Sequence, residues 1–389
     1  MAEWMKTSLI DIVKLIGGGT PKTTKSEYWG GNINWLSVKD FNNENRYVYS
    51  TEKTITEEGL NNSSTKLLQK NDIIISARGT VGELAMIPYP MAFNQSCYGI
   101  RAVKGVDSTF LYYLIKNSVK KIKLITHGSV FDTITRETFA NIDVEIPDIK
   151  TQQSIANVLS NIDDKIEINQ RINNNLYGQM QALYKDWFVN FEPFGGVRPS
   201  NWNVANIYAI AKIIYGAPFA SKLFNTDGLG KPIIRIRDLK EQAFVTFTTE
   251  EHPKGHLIQP GDIVVGMDGE FRPYIWGNEP AWLNQRVCIF ESNRPKGKAF
   301  VLYTIKPLLN KIEQTQVATT VIHIGKKDFD AFEIVLPDEA TLDSFDSITA
   351  PMIEKIVNNN LQNKRLAVLQ NTLLPKLMSG ALDVSNIDF

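Results

Sequence analysis

Residues 155–187, IANVLSNIDDKIEINQRINNNLYGQMQALYKDW, decide the fold, because they repeat one kind of side chain at alternating steps of four and three residues. This spacing, about 3.5 residues on average, is the seam of a coiled coil. The ten seam positions are Ile155, Leu159, Ile162, Ile166, Asn169, Asn173, Leu176, Met180, Leu183 and Trp187. The pattern predicts one long helix over 151–188 that packs lengthwise against a second helix.

The same seam returns 190 residues later in the chain. Its positions are Phe345, Thr349, Met352, Ile356, Asn359, Asn363, Leu366, Gln370, Leu373 and Leu377. The two central asparagines recur at the same seam positions, as Asn359 and Asn363. Polar residues in a seam lower stability, and in return they fix register and partner choice. The four asparagines are therefore predicted to set the coiled-coil register.

The two helices are expected to run antiparallel, each with a length of about 57 Å. The segment between them leaves the end of the first helix and returns at the start of the second, and domain termini usually lie close together. Asn169 should then face Asn363, and Asn173 should face Asn359. The alternative is a pair of ordinary core helices in one globule, although so many continuous turns of seam exceed what a compact domain needs.

The rest of the sequence is also repeated. Trp4 matches Trp202 at an offset of 198, and a deletion of eight residues in the second copy then reduces the offset to 190. Further matches are 32–41 with 230–239, 70–75 with 260–265, 94–95 with 284–285, 139 with 329 and 147 with 337. Each copy consists of short β-type runs broken by Gly, Pro and Asn, followed by one long helix.

These patterns predict an α+β fold: two mixed α/β domains, related by a pseudo-two-fold axis and separated by a long antiparallel two-helix coiled coil. The expected boundaries are 1–150 for the first domain, 151–189 for the first helix, 190–337 for the second domain, 338–380 for the second helix and 381–389 for a tail.

Composition and charge restrict the classes of function. The chain has 42 Lys+Arg and 42 Asp+Glu, so its net charge is zero and a strongly basic nucleic-acid sleeve is excluded. Residues 1–150 and 190–337 each carry a net charge of +2, so any DNA contact would use local patches. With no apolar stretch long enough for a membrane span and no recognisable secretory signal, we expect a cytoplasmic protein without a membrane partner.

Six segments carry a family resemblance. They are GGGTPK at 17–22, YWGGNINW at 28–35, SARGTVG at 76–82, IPD and QQSIA within 146–156, LYKDWFVNF at 183–191 and LLPKLMSG at 373–380. In this order, and together with the internal repeat, the chain resembles the specificity subunit of type I restriction–modification systems over nearly its whole length.

The resemblance implies a non-catalytic subunit. Each mixed domain would be a target recognition domain that reads one half of a bipartite, asymmetric site on double-stranded DNA. The helices would fix the unread spacer and dock two methyltransferase (modification) subunits. Nuclease–translocase (restriction) subunits would join through the complex. Adenine methylation and DNA cleavage belong to these partners, so no cofactor is expected on this chain.

Base reading requires side chains with paired donors and acceptors, such as Arg or Lys for guanine. In the first copy the loop 17–25 combines glycines, which allow close backbone approach, with several donors. The DNA-binding candidates here are Thr20, Lys22, Thr23, Lys25, Arg78 and Thr80. The loop could equally be a strand-connecting turn, and Arg78 could pair with an internal carboxylate.

In the second copy Arg235 and Arg237 are expected to alternate on one strand face beside Lys231, as a stripe for phosphates or bases or as a solvated face. Arg272 and Arg286 complete the DNA-binding candidates.

Two further groups are less specific. Asn94-Gln95 recurs at 284–285, which indicates a structural role or a contact shared by both copies, because residues that read different half-sites should differ. The structural role is favoured. Lys116, Lys120, Lys121 and Lys123 on a predicted helix suit non-specific phosphate contact or a merely solvated surface.

No catalytic or metal-binding residue is expected. The sequence lacks an Asn/Asp-Pro-Pro-aromatic methyltransferase motif and a glycine-rich phosphate loop ending in Gly-Lys-Ser/Thr. His252 and His256 have helical metal spacing, but Pro253 and Gly255 intervene. Two other functions compete: a coiled-coil scaffold or decoy of the same fold that binds protein without sequence-specific DNA binding, and an unrecognised hydrolase.

Overall fold

The computed structural model describes residues 4–43, 45–127, 133–315 and 323–384. The chain forms two compact units, residues 1–167 with 366–389 and residues 168–365. Each unit therefore holds one mixed domain and part of both long helices. The end of the expected tail, 385–389, lies outside the described residues.

The described part of the first unit contains ten strands. They are β1 Met5–Ser8, β2 Val13–Gly17, β3 Trp29–Leu36, β4 Lys53–Ile55, β5 Leu67–Leu68, β6 Ile73–Ser76, β7 Leu84–Met86, β8 Met91–Phe93, β9 Cys97–Ala102 and β10 Asp143–Ile146. Its helices are α1 Val38–Phe41, α2 Glu57–Asn61, α3 Ser108–His127 and α4 Arg136–Ala140, and α5 Ile149–Phe188 follows. The strands form an antiparallel sheet β2-β9-β6-β7, a mixed sheet β4-β3-β8-β5 and the pair β1-β10.

The second unit repeats this plan. Its strands are β11 Asn203–Asn206, β12 Ala211–Tyr215, β13 Phe224–Asn225, β14 Lys231–Ile234, β15 Phe247–Thr248, β16 Leu257–Ile258, β17 Ile263–Gly266, β18 Pro273–Ile275, β19 Ala281–Leu283, β20 Val287–Ser292 and β21 Glu333–Leu336. Its helices are α6 Lys298–Thr315 and α7 Lys326–Asp330, followed by α8 Glu339–Met378. The sheets are β12-β20-β17-β18, β13-β15-β14-β19-β16 and β11-β21.

The two units share strand order and register. In each mixed sheet the central pair is parallel, β3 with β8 and β14 with β19, and the other pairings are antiparallel. The second unit adds β13, and no helix in its described part corresponds to α2. The deletion inferred from the sequence therefore falls between the matched strands, where it removes a connecting helix and leaves the sheets intact.

Strand β6 shows how each domain builds two cores from one apolar run. Ile73 and Ile75 pack into the cluster that contains residues of α3, whereas Ile74 points to the other face and packs against the mixed sheet. Val264 of β17 is likewise separated from its neighbours Ile263 and Val265. Alternation along a strand sends successive side chains to opposite faces, so the run is buried on both sides.

The long helices begin at equivalent capped positions. Asp148 accepts hydrogen bonds from the backbone N–H of Thr151 at 3.1 Å and from its hydroxyl at 2.7 Å. Asp338 does the same with Thr341, at 3.0 and 2.9 Å. A carboxylate at this position satisfies N–H groups that have no partner within the helix, so both aspartates are helix caps.

The predicted seam is buried. All twenty seam positions of the two helices are buried or half-buried. Ile155 and Leu159 join the core of the first unit together with Leu377, and Met180 joins the core of the second unit together with Phe345. Within each unit the two helices run antiparallel. The predicted fold class, mixed α/β domains with a long antiparallel helix pair, is confirmed.

Candidate functional site

An equivalent tight turn in each unit is the centre of the candidate site. We call residues 94–96 and 284–286 the Asn-Gln turns; they join β8 to β9 and β19 to β20. The side-chain oxygen of Asn94 accepts from the N–H of Ser96 at 3.1 Å, and that of Asn284 accepts from the N–H of Gln285 at 2.7 Å. The recurring asparagine therefore holds the backbone of the turn, as a structural role requires.

In the first unit the glycine-rich loop 17–25 is clamped onto this turn. A Cβ on Gly18 would lie 2.0 Å from the carbonyl oxygen of Asn94, so only glycine fits there. The N–H of Gly19 donates to the carbonyl of Phe93 at 2.9 Å. The hydroxyl of Thr20 donates to Oε1 of Gln95. The start of the loop is thus a packed connection, and Thr20 already has a partner.

The second half of the loop faces solvent. Lys22 and Thr23 are exposed, and neither side chain has a hydrogen-bond or ion-pair partner within the described part of the chain. Lys25 lies 3.5 Å from a carboxylate oxygen of Glu27 and 5.0 Å from the ring centroid of Tyr28. The hydrogen bond with Tyr28, and then the charge of Glu27, raise the pKa of Lys25. Lys22 and Thr23 are therefore candidate donors of this loop that remain available.

Arg78 and Thr80 follow β6 on an exposed segment. Arg78 pairs through its backbone with Thr133, and its guanidinium forms no ion pair with any residue that the structure describes. The carbonyl of Thr80 accepts from the hydroxyl of Ser76. Among the carboxylates that the structure describes, none is an internal partner of Arg78.

The expected stripe of the second unit does not exist, and the prediction that Arg235 and Arg237 alternate on one strand face was wrong. Strand β14 ends at Ile234, because the carboxylate of Asp238 accepts from the N–H of Arg235 at 3.0 Å and turns the chain into a 3-10 helix over Ile236–Asp238. Arg235 folds inward to the hydroxyl of Thr246. Arg237 points outward, with a side chain 67% exposed.

The other candidate cations of the second unit have acidic neighbours, as does Arg237, whose Nε lies 4.0 Å from Oδ1 of Asp238. Lys231 donates to Glu251 at 2.6 Å and lies 4.9 Å from the ring centroid of Trp282. Arg272 lies 3.4 and 3.6 Å from the carboxylates of Glu270 and Glu313.

Arg286 belongs to a group that sequence reasoning missed. Its Nε lies 3.7 Å from Oδ2 of Asp268, and Nδ1 of His323 lies 2.5 Å from Oδ1 of the same carboxylate. The internal repeat could have pointed to His323, because it corresponds to Thr133 at the repeat offset of 190.

The lysine cluster of α3 divides between two environments. Lys116 lies 3.4 Å from Oε1 of Gln370, and the side chain of Lys123 lies against Gly82. Lys120 and Lys121 are exposed. At most half of the cluster therefore faces solvent freely enough for phosphate contact.

Burial raises the pKa of the Cys97 thiol to about 12, which keeps it protonated at neutral pH. Within the described ranges, no group of three or more His, Cys, Asp or Glu side chains is placed to hold a metal ion. None of the described helices combines the length and the apolar character needed to cross a membrane. The arrangement offers exposed hydrogen-bond donors and acceptors on a rigid scaffold, which suits recognition.

Comparison with known proteins gives a consistent result. A family model described as type I restriction modification DNA specificity domain matches residues 1–177 and 199–371. The MjaIX specificity subunit of a type I restriction enzyme from Methanocaldococcus jannaschii is 29% identical, covering 99% of this chain and 95% of that protein. The HindI specificity subunit from Haemophilus influenzae is 22% identical, covering 70% of this chain and 76% of that protein. The crystal structure of a type I restriction–modification S subunit from M. genitalium has a TM-score of 0.60 at 17% identity over 97% of this chain and 96% of that one, which shows a shared fold.

Proposed function

Because the chain belongs to the family of type I restriction modification DNA specificity domains, we propose that it is the subunit that selects the DNA sequence on which a type I complex acts. It is the non-catalytic, sequence-reading subunit, and methylation and cleavage are performed by its partners. Residues 1–150 and 190–337 are the two target recognition domains, 151–189 and 338–380 the spacer helices, and 381–389 the tail.

One observation carries the reading role: the same three-sheet scaffold occurs twice with unlike exposed side chains. Where the first unit exposes Lys22 and Arg78, the second exposes Arg237 and Arg286 from other positions. A symmetric scaffold with unlike contact groups suits a site whose two halves differ, because phosphate contacts position a protein while base contacts distinguish sequences.

The candidate DNA contacts follow from exposure. Lys22, Thr23 and Lys25 suit phosphates near the first half-site, and Arg78 suits a base edge. In the second half, Arg237 and Arg286 are the most exposed candidates, with side chains 67% and 56% exposed and one carboxylate each within 4.0 Å. Lys231 and Arg272 also have carboxylate neighbours. The remaining candidates, Thr20, Thr80 and Arg235, support the loops that carry these groups.

The helices are proposed to serve the partners. On α5 the apolar side chains of Ile168 and Ile172 are 50% and 36% exposed, one turn apart and outside the seam. On α8 Val368 and Leu369 are also exposed. Exposed apolar side chains on long helices favour docking of two modification subunits, with nuclease–translocase subunits joining through that assembly. The complex acts on double-stranded DNA in the cytoplasm.

The test is a map of methylated adenines in the native cell before and after deletion of the gene for this chain. Loss of methylation at one split sequence, restored by the full-length chain, is the expected result. Methylation of that sequence in the deletion strain would refute the proposal. The competing protein-binding scaffold predicts no sequence-dependent protection of DNA by the chain together with its modification subunits, so a footprint separates the two functions.

A further inference from the structure

Three positions of the first unit lie together beside the Asn-Gln turn. The N–H of Ala77 donates to the carbonyl of Ser96 at 2.8 Å, and the N–H of Ile134 donates to the carbonyl of Ala77 at 2.9 Å. Arg78, next along the chain, pairs as an antiparallel bridge with Thr133. We call Arg78, Ser96 and Thr133 the first triplet. Their side chains come from three separate segments that backbone hydrogen bonds hold side by side.

The second unit contains the same arrangement 190 residues later. The N–H of Met267 donates to the carbonyl of Arg286 at 2.9 Å, and the N–H of Ile324 donates to the carbonyl of Met267 at 2.9 Å. Asp268 pairs as an antiparallel bridge with His323. We call Asp268, Arg286 and His323 the second triplet. The backbone frame is therefore the same, bond for bond.

The residue after the bridge is also preserved. Gly79 has a φ of 76° and Gly269 a φ of 78°, a left-handed conformation that favours glycine. A frame kept to this degree, down to one unusual backbone angle, indicates that both units need these three positions in fixed places.

The side chains on this frame differ in every case. A cation stands where the other unit has an anion (Arg78 and Asp268), a hydroxyl where it has a cation (Ser96 and Arg286), and a hydroxyl where it has an imidazole (Thr133 and His323). Ordinary surface variation explains exposed differences, but it does not explain a preserved frame beneath them. Two domains that recognise different base sequences require side chains of different chemistry at the same backbone positions.

Each triplet contains one arginine, at a different position. In the second triplet Asp268 is largely covered, with a side chain 20% exposed, whereas Arg286 is 56% exposed. Arg286 contacts Asp268 through Nε at 3.7 Å, and more than half of the Arg286 side chain is exposed. An ion pair with a carboxylate restricts the orientation of a guanidinium. Two N–H donors of an oriented guanidinium match the O6 and N7 acceptors of guanine in the major groove.

Building on the proposed function, we infer that the triplets are the specificity-determining residues of the two half-sites. Arg78 reads a guanine in the first half-site and Arg286 reads a guanine in the second. Asp268 is a positioning residue, which acts on DNA through the orientation of Arg286. His323 holds the second oxygen of that carboxylate. Because the arginines stand on different segments of the same frame, the two guanines occupy different places within their half-sites.

The experiment uses the full-length chain assembled with its own modification subunits and a library of random-sequence duplexes. The methylated products are sequenced to give a base preference at every position of both half-sites. Arg286→Ala is expected to lower the preference for guanine at one position of one half-site, by between about 5-fold and 100-fold. Arg78→Ala should do the same at one position of the other half-site.

Two further variants separate positioning from folding. Asp268→Asn should weaken the same guanine preference as Arg286→Ala, and Asp268→Glu, which keeps the carboxylate, should restore part of it. The matched control is Lys212→Ala, an exposed lysine of β12 whose amino group lies 3.7 Å from the carboxylate of Glu291. It should leave every base preference and the melting temperature unchanged.

The possible outcomes are decisive. A change confined to one position of one half-site supports the inference. Unchanged preferences, or a uniform loss at all positions of both half-sites, would overturn it. If the modification subunits methylate the same sequences with and without this chain, the proposed function fails. If the wild type shows a split preference that the triplet variants retain, only the triplet assignment fails.

Discussion

Asn359 donates a hydrogen bond from Nδ2 to Oδ1 of Asn173 at 2.8 Å, and these side chains are 2% and 5% exposed. One seam layer away, Asn169 donates from Nδ2 to Oδ1 of Asn363, also at 2.8 Å. The asparagines of the two helices thus meet pairwise in the middle of a mostly apolar seam, whose other polar positions are Thr349 and Gln370. Any other register of the helices would place these amides against apolar side chains.

Asn173→Ala should destabilise the chain by about 1 to 3 kcal/mol, because a buried amide loses its partner. Asn173 also donates to Oδ1 of Asn360 at 2.7 Å, so a second bond is lost. Replacing both Asn173 and Asn359 with Leu should recover part of this loss, since neither of these two amides is then left unpaired, although Asn360 still loses its donor. Denaturant unfolding measures both effects. Asn174→Ala, an exposed neighbour, is the control, and equal losses from Asn173→Ala and Asn174→Ala would contradict the role of the seam layer.

The spacer between half-sites should follow helix length, if the helices act as a ruler. Inserting one heptad into both helices at the asparagine layers lengthens each by about 10.5 Å. At about 3.4 Å per base pair, the unread spacer should grow by about three base pairs, with both half-site sequences unchanged. Sequencing of methylated products gives the spacer directly. An active complex with the original spacer would exclude the ruler.

Lys22→Ala should weaken binding to every DNA sequence by the same factor, because a phosphate contact carries no sequence information. The slope of log affinity against log salt concentration should fall in magnitude by about 1. Equilibrium binding of one duplex at several salt concentrations measures it. Lys6, with a side chain 86% exposed, provides the control variant Lys6→Ala, and a base-specific change on Lys22→Ala would refute the assignment.

Substitution of Arg235 should lower stability, whereas substitution of Arg237 should lower DNA affinity. Arg235→Ala removes the partner of Thr246 inside the second domain and should cost about 1 to 3 kcal/mol of unfolding free energy, with base preferences retained. Arg237→Ala removes an exposed cation, so stability should stay within about 0.5 kcal/mol while DNA affinity falls. Thermal unfolding and DNA binding of both variants are compared. The opposite pattern would mean that Arg235 faces DNA.

The helix caps should make stability sensitive to acid. Hydrogen bonds from the backbone and hydroxyl of Thr341 hold the pKa of Asp338 below its usual range. Because the folded pKa lies below the unfolded one, this stabilisation is present above about pH 4 and is lost as the pH falls through the folded pKa. The stability difference between wild type and Asp338→Asn should therefore shrink from pH 6 towards about pH 3.

Urea unfolding at a series of pH values measures this difference. Asp227→Asn, a change on an exposed turn outside any helix cap, is the control. A difference that stays constant, or grows, in acid would show that the Asp338 carboxylate does not stabilise the helix as an ion.

Much of the candidate site was accessible from the sequence only as a set of exposed donors. Lys22 and Arg78 stand on loops next to strands, and their exposure follows from local pattern. The pattern of strand alternation did not predict the inward orientation of the Arg235 side chain, because the strand ends before Arg235, where Asp238 caps the turn. Its partner Thr246 lies eleven positions away, beyond the reach of strand alternation. The contact between Asp268 and His323 spans 55 positions and required the folded chain.

The helices, their seam and their antiparallel pairing follow from the order of residues along the chain. The reason is that a helical seam is written in residues three and four apart, and a repeat offset of 190 places the asparagines symmetrically. Tertiary structure alone decided which exposed side chains stand together. Gln370 at a seam position donates to Asp163 at 2.6 Å, and the triplets assemble from three distant segments. These contacts depend on how the loops fold in three dimensions. Local periodicity of the sequence does not encode that arrangement.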